Sequence, residues 1–562
     1  MHSHKILNIF PVNLSLQEKL VKELNISNVL AQILINRGIT DPAQADEFLN
    51  VRIQQMLDPF LFSGMEQAVK RIIDAGKRKE KVMIFGDYDV DGITSVALLT
   101  NTLKKAKVDC NHYMPHRVKE GYGLNREILN IVRTRGVSLL ITADCGISNP
   151  IEVAQLKENN VDTIITDHHE PSGKELPSAL AVINPKVRGS NYSYRDLAGV
   201  GVAYKLCQAL SGSMLVGELD LVTIGTVADV VPLTGENRII VKEGLKMLPQ
   251  SKRPGIKALI EQARIRANKF SPAFISFILA PRLNASGRIG SAEVSLGLLT
   301  STDESKAKEF ASILEEDNRT RQRIEGKIMD EALAIIDKEV NFKEHKIIVV
   351  AKDKWHHGVL GVVASKLADR FYRPVIVISL DDALCKGSAR SIKSFHLFNA
   401  LNECKEFLNG FGGHAHAAGL TITKESIDDF KGSINRLAHE KLSLEDLLPS
   451  LEIDMELALS DLDDQSIGQL ERLAPFGTGN TEPLFLTRNL KLKGEIKSLA
   501  RETLKFYVTD GKATQQVIGF GMGSLRNSFE GANTFDLVYT ARIDSWFDEA
   551  SVILEAKDVF FR

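Results

Sequence analysis

Seven side chains suited to metal and phosphate chemistry recur at the ends of apolar runs. Lys81-Val-Met-Ile-Phe-Gly-Asp-Tyr-Asp-Val-Asp-Gly-Ile-Thr94 closes one run with three alternating carboxylates, Asp87, Asp89 and Asp91. The run Val137 to Thr142 leads into Ala143-Asp144-Cys145-Gly146, and Val161 to Thr166 leads into Asp167-His168-His169. A fourth apolar segment, Leu221 to Leu233, holds the single acid Asp229. Acids this close repel one another unless a cation lies among them or water solvates them. Read in isolation, Asp87–Asp91 also fits a solvated acidic turn, and Asp229 a satisfied structural residue. The spacing imitates a calcium-binding loop, but its twelfth position is Leu98, where a bidentate Glu is required. Hard carboxylates with one or two imidazoles and no thiolate favour Mg²⁺ or Mn²⁺ over zinc, with Mn²⁺ helped by histidine. So many acids exceed the needs of one ion. Two ions about 3.5–4 Å apart would use them, as in phosphoryl displacement.

The elements that must carry these groups are short apolar runs alternating with helix-compatible ones. Val82 to Phe85 and Leu180 to Asn184 join the two runs above as expected strands, and Thr94 to Ala106 reads as a helix. Alternation implies right-handed crossovers and a mostly parallel sheet, whose carboxyl edge is where open α/β folds bind ligands.

The expected fold class is α/β: two α/β domains joined by a long helix, plus a C-terminal β-barrel of oligonucleotide-binding type. Residues 1–50 are expected to be a helical segment, with Ser15-Leu-Gln-Glu18 as a capping box and Asp41-Pro42 as a cap followed by a first-turn proline. Residues 51–302 form the catalytic α/β domain and 303–340 a connector helix rich in Glu, Lys, Ala and Ile. Charges on several faces of that helix suggest a solvated span between domains. Residues 341–449 restart an α/β pattern. Residues 450–562 change to five short aromatic-bearing strands, as in a small barrel. Phe506, Tyr507, Trp546 and Phe547 are candidates for stacking on bases, although aromatics in such barrels are more often core.

With 44% hydrophobic and 25% charged residues over 562, the chain has the composition of an ordinary soluble protein of several domains. A formal net charge of −2 provides no global basic field, so any nucleic-acid surface is local. The acids of a metal site account for part of the negative charge, leaving the remainder slightly basic. The five cysteines are scattered without a C-x-x-C pair, which argues against a disulfide framework or zinc knuckle and fits a reducing cytoplasm. No apolar stretch is long enough for a signal or a membrane span, so a soluble, unexported protein is expected.

Four later stretches could hold anions. Ala280-Pro-Arg282-Leu-Asn284-Ala-Ser-Gly-Arg288 reads as a glycine-containing loop with two arginines. Trp355-His-His357-Gly358 and Gly387-Ser388-Ala-Arg390-Ser391 precede Gly410-Phe-Gly412-Gly413-His414-Ala-His416-Ala-Ala-Gly419. Glycine lets backbone amides approach a phosphate, and Arg390 offers a planar fork to it.

Gly86-Asp-Tyr-Asp-Val-Asp-Gly92, Thr142-Ala-Asp-Cys-Gly146, Asp167-His-His169 and Gly225-Thr-Val-Ala-Asp-Val-Val-Pro-Leu233 resemble successive motifs of the DHH phosphoesterase superfamily. The motifs from Ala280 to Gly419 resemble its DHHA1 branch. Their order, the connector and the late segment Ala474-Pro-Phe-Gly-Thr-Gly-Asn-Thr-Glu-Pro-Leu-Phe485 resemble the bacterial RecJ family of single-strand-specific 5′→3′ DNA exonucleases.

The resemblance implies that Asp89, Asp91, Asp144, His168 and Asp229 ligate metal, with Asp87 as an adjoining ligand or an acid just behind the ligands. His169 is expected to act at the scissile phosphate, alongside Asp91 and Asp144 as catalytic residues. Arg282, Asn284 and Arg288 are expected to face the DNA backbone. His357, Ser388, Arg390 and the Gly412-Gly413-His414 turn would hold phosphates near the 5′ end. The barrel would guide the strand, and a narrow passage would reject duplex. In the implied mechanism, water activated at the ions attacks the phosphodiester in line and 5′-mononucleotides leave processively. The expected partners are single-stranded DNA, a RecQ-type helicase and the single-strand-binding protein. A monomer acting in recombination and repair completes the expectation. An oligoribonucleotide or cyclic-dinucleotide phosphodiesterase would need neither the connector nor the barrel. A non-catalytic binding scaffold would be expected to have lost metal ligands, all of which are present.

Overall fold

The computed structural model describes residues 5–117, 120–171, 175–264, 270–380, 384–544 and 551–562. The chain divides into two compact units: residues 57–229 with 244–449, and residues 5–56 with 230–243 and 450–562.

The first unit contains two sheets. One has five parallel strands in the order Cys110–Tyr113, Lys81–Gly86, Val137–Ala143, Asp162–Thr166, Ala181–Ile183. In chain order this is 2-1-3-4-5, so the strand order reverses between Lys81–Gly86 and Val137–Ala143, the switch point at which doubly wound sheets open a ligand crevice. Both strands are buried nearly throughout, which explains their continuous rather than alternating apolar runs. The helix Val90–Lys105 follows at once because Asp89 caps it, its Oδ1 accepting the Gly92 amide at 3.1 Å. It buries against the helices Gly199–Ser211 and Leu219–Ala228.

The second sheet runs Gly410–Gly413, Ala417–Ile422, Cys385–Arg390, Val375–Leu380, Ile348–Asp353; only its last two strands are parallel. Ser388 and Arg390 therefore sit in a strand, and Gly412 and Gly413 in a hairpin arm, rather than in turns. Residues 280–288, expected as a loop, are the helix Ala280–Ile289, with Pro281 in its first turn. Leu283, Ala285 and Ser286 bury its inner face.

A single 36-residue helix, Glu304–Glu339, packs against the helices Pro254–Gln262 and Ala280–Ile289 and, further along, against His357–Phe371. It is not a solvated span. Glu315, Asn318 and Glu325 are buried in it and are matched by Arg282, Arg319, Arg321 and Lys366. Its charges read as exposure because several of their partners lie far away in sequence.

The second unit is a barrel with helices against it. The strands Phe485–Leu499, Thr503–Thr509, Thr514–Gly519, Ser551–Phe561 and Phe535–Asp544 pair in that order, and the last pairs with the first, closing five strands. Phe506 is fully buried in the core, whereas Tyr507 is exposed; Trp546 and Phe547 lie outside the described residues. The helices Leu14–Leu24, Asn28–Asn36 and Pro42–Leu49 share that core through Leu20, Leu30, Leu34 and Leu49. Asp41 caps the last of them as expected. The first is capped by Asn13 instead of Ser15, and Ile6–Ile9 is a strand paired with Ser450–Ile453. Among the described residues no helix is long and apolar enough to cross a membrane.

Candidate metal centre and phosphate-binding surface

Strand ends at the switch point deliver the acids to one place. Asp87 follows Lys81–Gly86 and donates its amide to the Ala143 carbonyl at 3.2 Å, which ties the two central strand ends together. Asp144 follows Val137–Ala143 with a left-handed backbone, φ 63°, and its amide bonds the Thr166 carbonyl at 2.9 Å. His168 and His169 follow Asp162–Thr166. Asp229 arrives from the end of the helix Leu219–Ala228.

His168 Nε2 is the hub. It lies 3.3 Å from Asp144 Oδ1, 3.4 Å from Asp229 Oδ2 and 4.0 Å from Asp91 Oδ2. Three groupings bring ligand atoms within 4.8 Å of one another: Asp87, Asp89 and Asp144; Asp91, His168 and Asp229; Asp144, His168 and His169. Asp91 is oriented by the N-terminus of Gly199–Ser211, its carboxylate accepting the amides of Gly199 at 2.6 Å and Val200 at 2.7 Å. Two glycines make room. A Cβ on Gly92 would lie 2.3 Å from the Asp87 carbonyl, and one on Gly199 would lie 2.5 Å from Asp144 Oδ1.

The electrostatics are those of a cluster awaiting positive charge. Burial, then repulsion from Asp89, raises Asp91 to about 7. Burial and neighbouring acids hold Asp87, Asp144 and Asp229 well above the ordinary carboxylate range. Burial, then the charge of His169, pushes His168 down to about 3, which keeps its ring neutral. Asp87 Oδ1, Asp144 Oδ1, Asp229 Oδ2 and His168 Nε2 are buried with no hydrogen-bond partner. Orphaned buried acceptors are costly. Their donor set, hard oxygens with imidazole, fits Mn²⁺ or Mg²⁺.

His169 is held differently. Its Nδ1 lies 2.7 Å from Asp167 Oδ1, which also accepts the amides of His168 at 2.7 Å and His169 at 3.0 Å, while Oδ2 accepts the Ile147 amide at 2.9 Å. Burial opposes the charged ring, but the Asp167 bond overrides it and raises the pKa. The same contacts hold Asp167 below the ordinary carboxylate range despite its burial. Tyr122 Oη lies 3.0 Å from His169 Nδ1. With Nδ1 engaged, Nε2 is the ring atom left for other chemistry.

The sequence motif contains Asp167, but the chemistry of its neighbours draws attention away from it. Its legible signal is its place directly before two histidines at a strand end. Arg117 carries no such signal. Its guanidinium sits 4.9 Å from the Tyr88 ring centroid and lies within electrostatic reach of Asp87 and Arg390.

Arg288 links the acids to the basic groups. Burial, then Arg117, Arg321 and Arg390, lowers its pKa to about 10, while Asp89 acts against this. It donates to the Gly358 carbonyl at 3.3 Å. Arg390 is lowered by burial and by Arg117. Ser388 Oγ and Arg390 Nη2 both border Gly361, where a Cβ would lie 3.0 and 3.3 Å away. His357, Gly387, Ser388 and Gly412 line a groove of about 470 Å³. Gly413 and His414 lie exposed beside it at the hairpin turn. Arg282 is placed elsewhere: its guanidinium donates to Glu315 at 2.8 Å and the Ile278 carbonyl at 2.7 Å. Asn284 is half-buried one helical turn before Arg288.

Comparison with known proteins follows these parts closely. Residues 81–226 match the DHH family, N-terminal domain; 344–440 match the DHHA1 domain; 453–558 match the RecJ OB domain. The single-stranded-DNA-specific exonuclease RecJ of Bacillus subtilis (strain 168) is 40% identical over 544 residues, covering 96% of this chain and 69% of that one. This chain belongs to the RecJ family. RecJ from Thermus thermophilus, solved in complex with Mn²⁺, superposes with a TM-score of 0.85 at 27% identity, covering 99% of this chain and 80% of that one. The same RecJ in complex with Mg²⁺ gives 0.77 at 25% identity, covering 99% and 78%. A divalent metal cofactor accords with the RecJ donor set found here.

Proposed function

We propose that this protein hydrolyses single-stranded DNA from the 5′ end, releasing 5′-mononucleotides, in recombination and repair. The observation that carries the reading is the set of orphaned buried atoms, Asp87 Oδ1, Asp144 Oδ1, Asp229 Oδ2 and His168 Nε2, converging at the switch point beside a run of arginines. Membership of a family whose Bacillus relative is named for single-stranded-DNA-specific exonuclease activity supports the same substrate. Asp87, Asp89, Asp91, Asp144, His168 and Asp229 would hold two divalent ions, with Asp87–Asp89–Asp144 and Asp91–His168–Asp229 as the two groupings. When bound, such ions activate water and stabilise the leaving oxygen of a phosphodiester.

The chain's own residues do the rest. Asp91, fixed by two amides of the helix Gly199–Ser211, cannot swing away when charge develops. Asp167 holds His169 Nδ1–H, so that a proton on Nε2 can be given to the departing oxygen. Arg117, Arg288 and Arg390 offer positive charge to the reacting and neighbouring phosphates. Ser388 and the groove with His357 and Gly412 would receive the 5′-terminal phosphate. Polarity, exclusion of duplex, monomeric action in the cytoplasm and recruitment by a RecQ-type helicase and the single-strand-binding protein belong to this reading through the resemblance.

The test is cleavage of end-labelled single-stranded DNA, its duplex and a short RNA with Mn²⁺ or Mg²⁺, using wild type and Asp144→Ala. Mononucleotides released from the 5′ end of the single strand, and abolished in the variant, are expected. Cleavage confined to di- or oligoribonucleotides, or binding without cleavage, would refute the reading.

A further inference from the structure

The helix Ala280–Ile289 continues from a wide turn, Ile275–Leu279, in which the Ala280 amide donates to the Ile275 carbonyl five residues back. Such π-helical turns recur at functional sites because the extra residue re-aims a side chain. Here the residue turned outward is Phe277, 76% exposed and the most exposed aromatic among the described residues. Its neighbours show that the turn is anchored: Ile275 and Leu279 are fully buried, and Phe274 is met edge-on by Phe270 at 4.7 Å. Phe277 is therefore an apolar ring presented to water on a turn whose neighbours are buried.

Its direction follows from helical spacing. Ile275, Leu279, Leu283 and Ser286 form the inward stripe. Phe277, Pro281, Asn284 and Arg288, at intervals of three and four, form the opposite one. Arg288 ends that stripe at the catalytic cluster, within electrostatic reach of Asp89, Arg117 and Arg390. Gly287, beside it, comes so near the active-site loop that a Cβ would lie 2.7 Å from the Tyr88 carbonyl. At about 1.5 Å per residue, the eleven positions from Phe277 to Arg288 span roughly 16 Å. Nucleotides advance about 3.4 Å when stacked and roughly twice that when extended, so the separation corresponds to about two to five of them.

We propose that Phe277 is a stacking platform for a base of the incoming single strand, about two to five nucleotides from the reacting phosphate. An aromatic face binds any base, as an exonuclease that traverses every sequence requires. A paired base presents no free face, so the platform also disfavours duplex. This proposal rests on the function proposed above and adds a residue that positions the strand.

The test uses single strands with phosphorothioate linkages and 2-aminopurine at each of positions one to eight from the 5′ end. In wild type, fluorescence is expected to be quenched at one or two positions between about the second and the fifth. That quenching is expected to disappear in Phe277→Ala and return in Phe277→Tyr. An abasic site at the same position should weaken wild-type binding about tenfold, the loss of one base stack, and leave Phe277→Ala indifferent. Identical fluorescence and abasic profiles in wild type and Phe277→Ala would overturn the platform while the exonuclease reading stands on its cleavage assay. A wild type that neither binds nor cuts single-stranded DNA would overturn both.

Discussion

The amide of Gly199 donates to Asp91 Oδ2 at 2.6 Å, at the point where position 199 has no room for a side chain. A methyl group there would press on Asp144 Oδ1, which lies 2.5 Å from the ideal Cβ position. Gly199→Ala is expected to displace one carboxylate to relieve the other. A misplacement near 1 Å commonly costs about 10²-fold in rate. Overpacking costs about 1–3 kcal/mol of stability. Turnover and the Mn²⁺ titration midpoint should both worsen while the protein remains folded by circular dichroism; an unchanged metal midpoint would show that the two carboxylates are not coupled.

The metal-free cluster should make stability depend on pH in a defined direction. Asp91 is raised to about 7, and burial and mutual repulsion also raise Asp87, Asp144 and Asp229 well above the ordinary range. Unfolded carboxylates titrate near 4. From about that pH up to the raised values, the native protein holds more protons than the unfolded chain, so these groups favour folding at the acid end and progressively less as pH rises. A divalent cation replaces the missing protons. The gain in melting temperature on adding Mn²⁺ is therefore expected to be larger at pH 8 than at pH 5.5, and an equal gain at both would contradict the cluster's protonation.

Asp167→Asn keeps the shape of the His169 partner but removes its charge. The bond to Asp167 is what raises His169, so its pKa should fall. Were His169 the proton donor, the alkaline limb of the pH–rate profile would move to lower pH, with a loss of about 10- to 10²-fold typical of groups that orient a reacting side chain. A uniform loss at every pH would assign Asp167 to architecture alone.

Arg238 is almost wholly buried and its pKa falls to about 9 through desolvation. Its guanidinium donates to the carbonyls of Phe48 at 3.0 Å, Leu473 at 2.7 Å and Arg472 at 3.0 Å, and its carbon lies 4.0 Å from the Phe48 ring centroid. Arg238→Met would remove one donor from each of those carbonyls, of which that of Leu473 keeps Asn480 Nδ2 at 2.8 Å. A destabilisation of about 3 kcal/mol, read as a shift in the urea midpoint, is expected.

The strand-end acids were legible because the chemistry and the fold use the same punctuation. Apolar runs that stop at Asp87, Asp144 and Asp167-His168-His169 mark both the sheet and its ligand edge. What escaped was set by distant partners. The charged residues of Glu304–Glu339 read as solvated in the sequence because two of their partners, Arg282 for Glu315 and Lys366 for Glu325, lie far from them along the chain. Ala280–Ile289 looked like a loop because its proline and glycine are punctuation only when their surroundings are unknown; Pro281 occupies a first turn, and Gly287 passes the Tyr88 carbonyl. Arg117, with no motif around it, could be found only by folding.

The barrel's core is completed by residues near both ends of the chain. Leu20, Leu30 and Leu34 pack in the same cluster as Leu473, Phe485 and Phe535. During synthesis the first of these leave the ribosome about 500 residues before the last. At about 5–20 residues per second that is an interval of roughly 25–100 s. Throughout it, the N-terminal helices expose an apolar face whose barrel partners are not yet made, while the parallel sheet between them can already fold. A translational pause or truncation before residue 450 is thus expected to strand that surface in water.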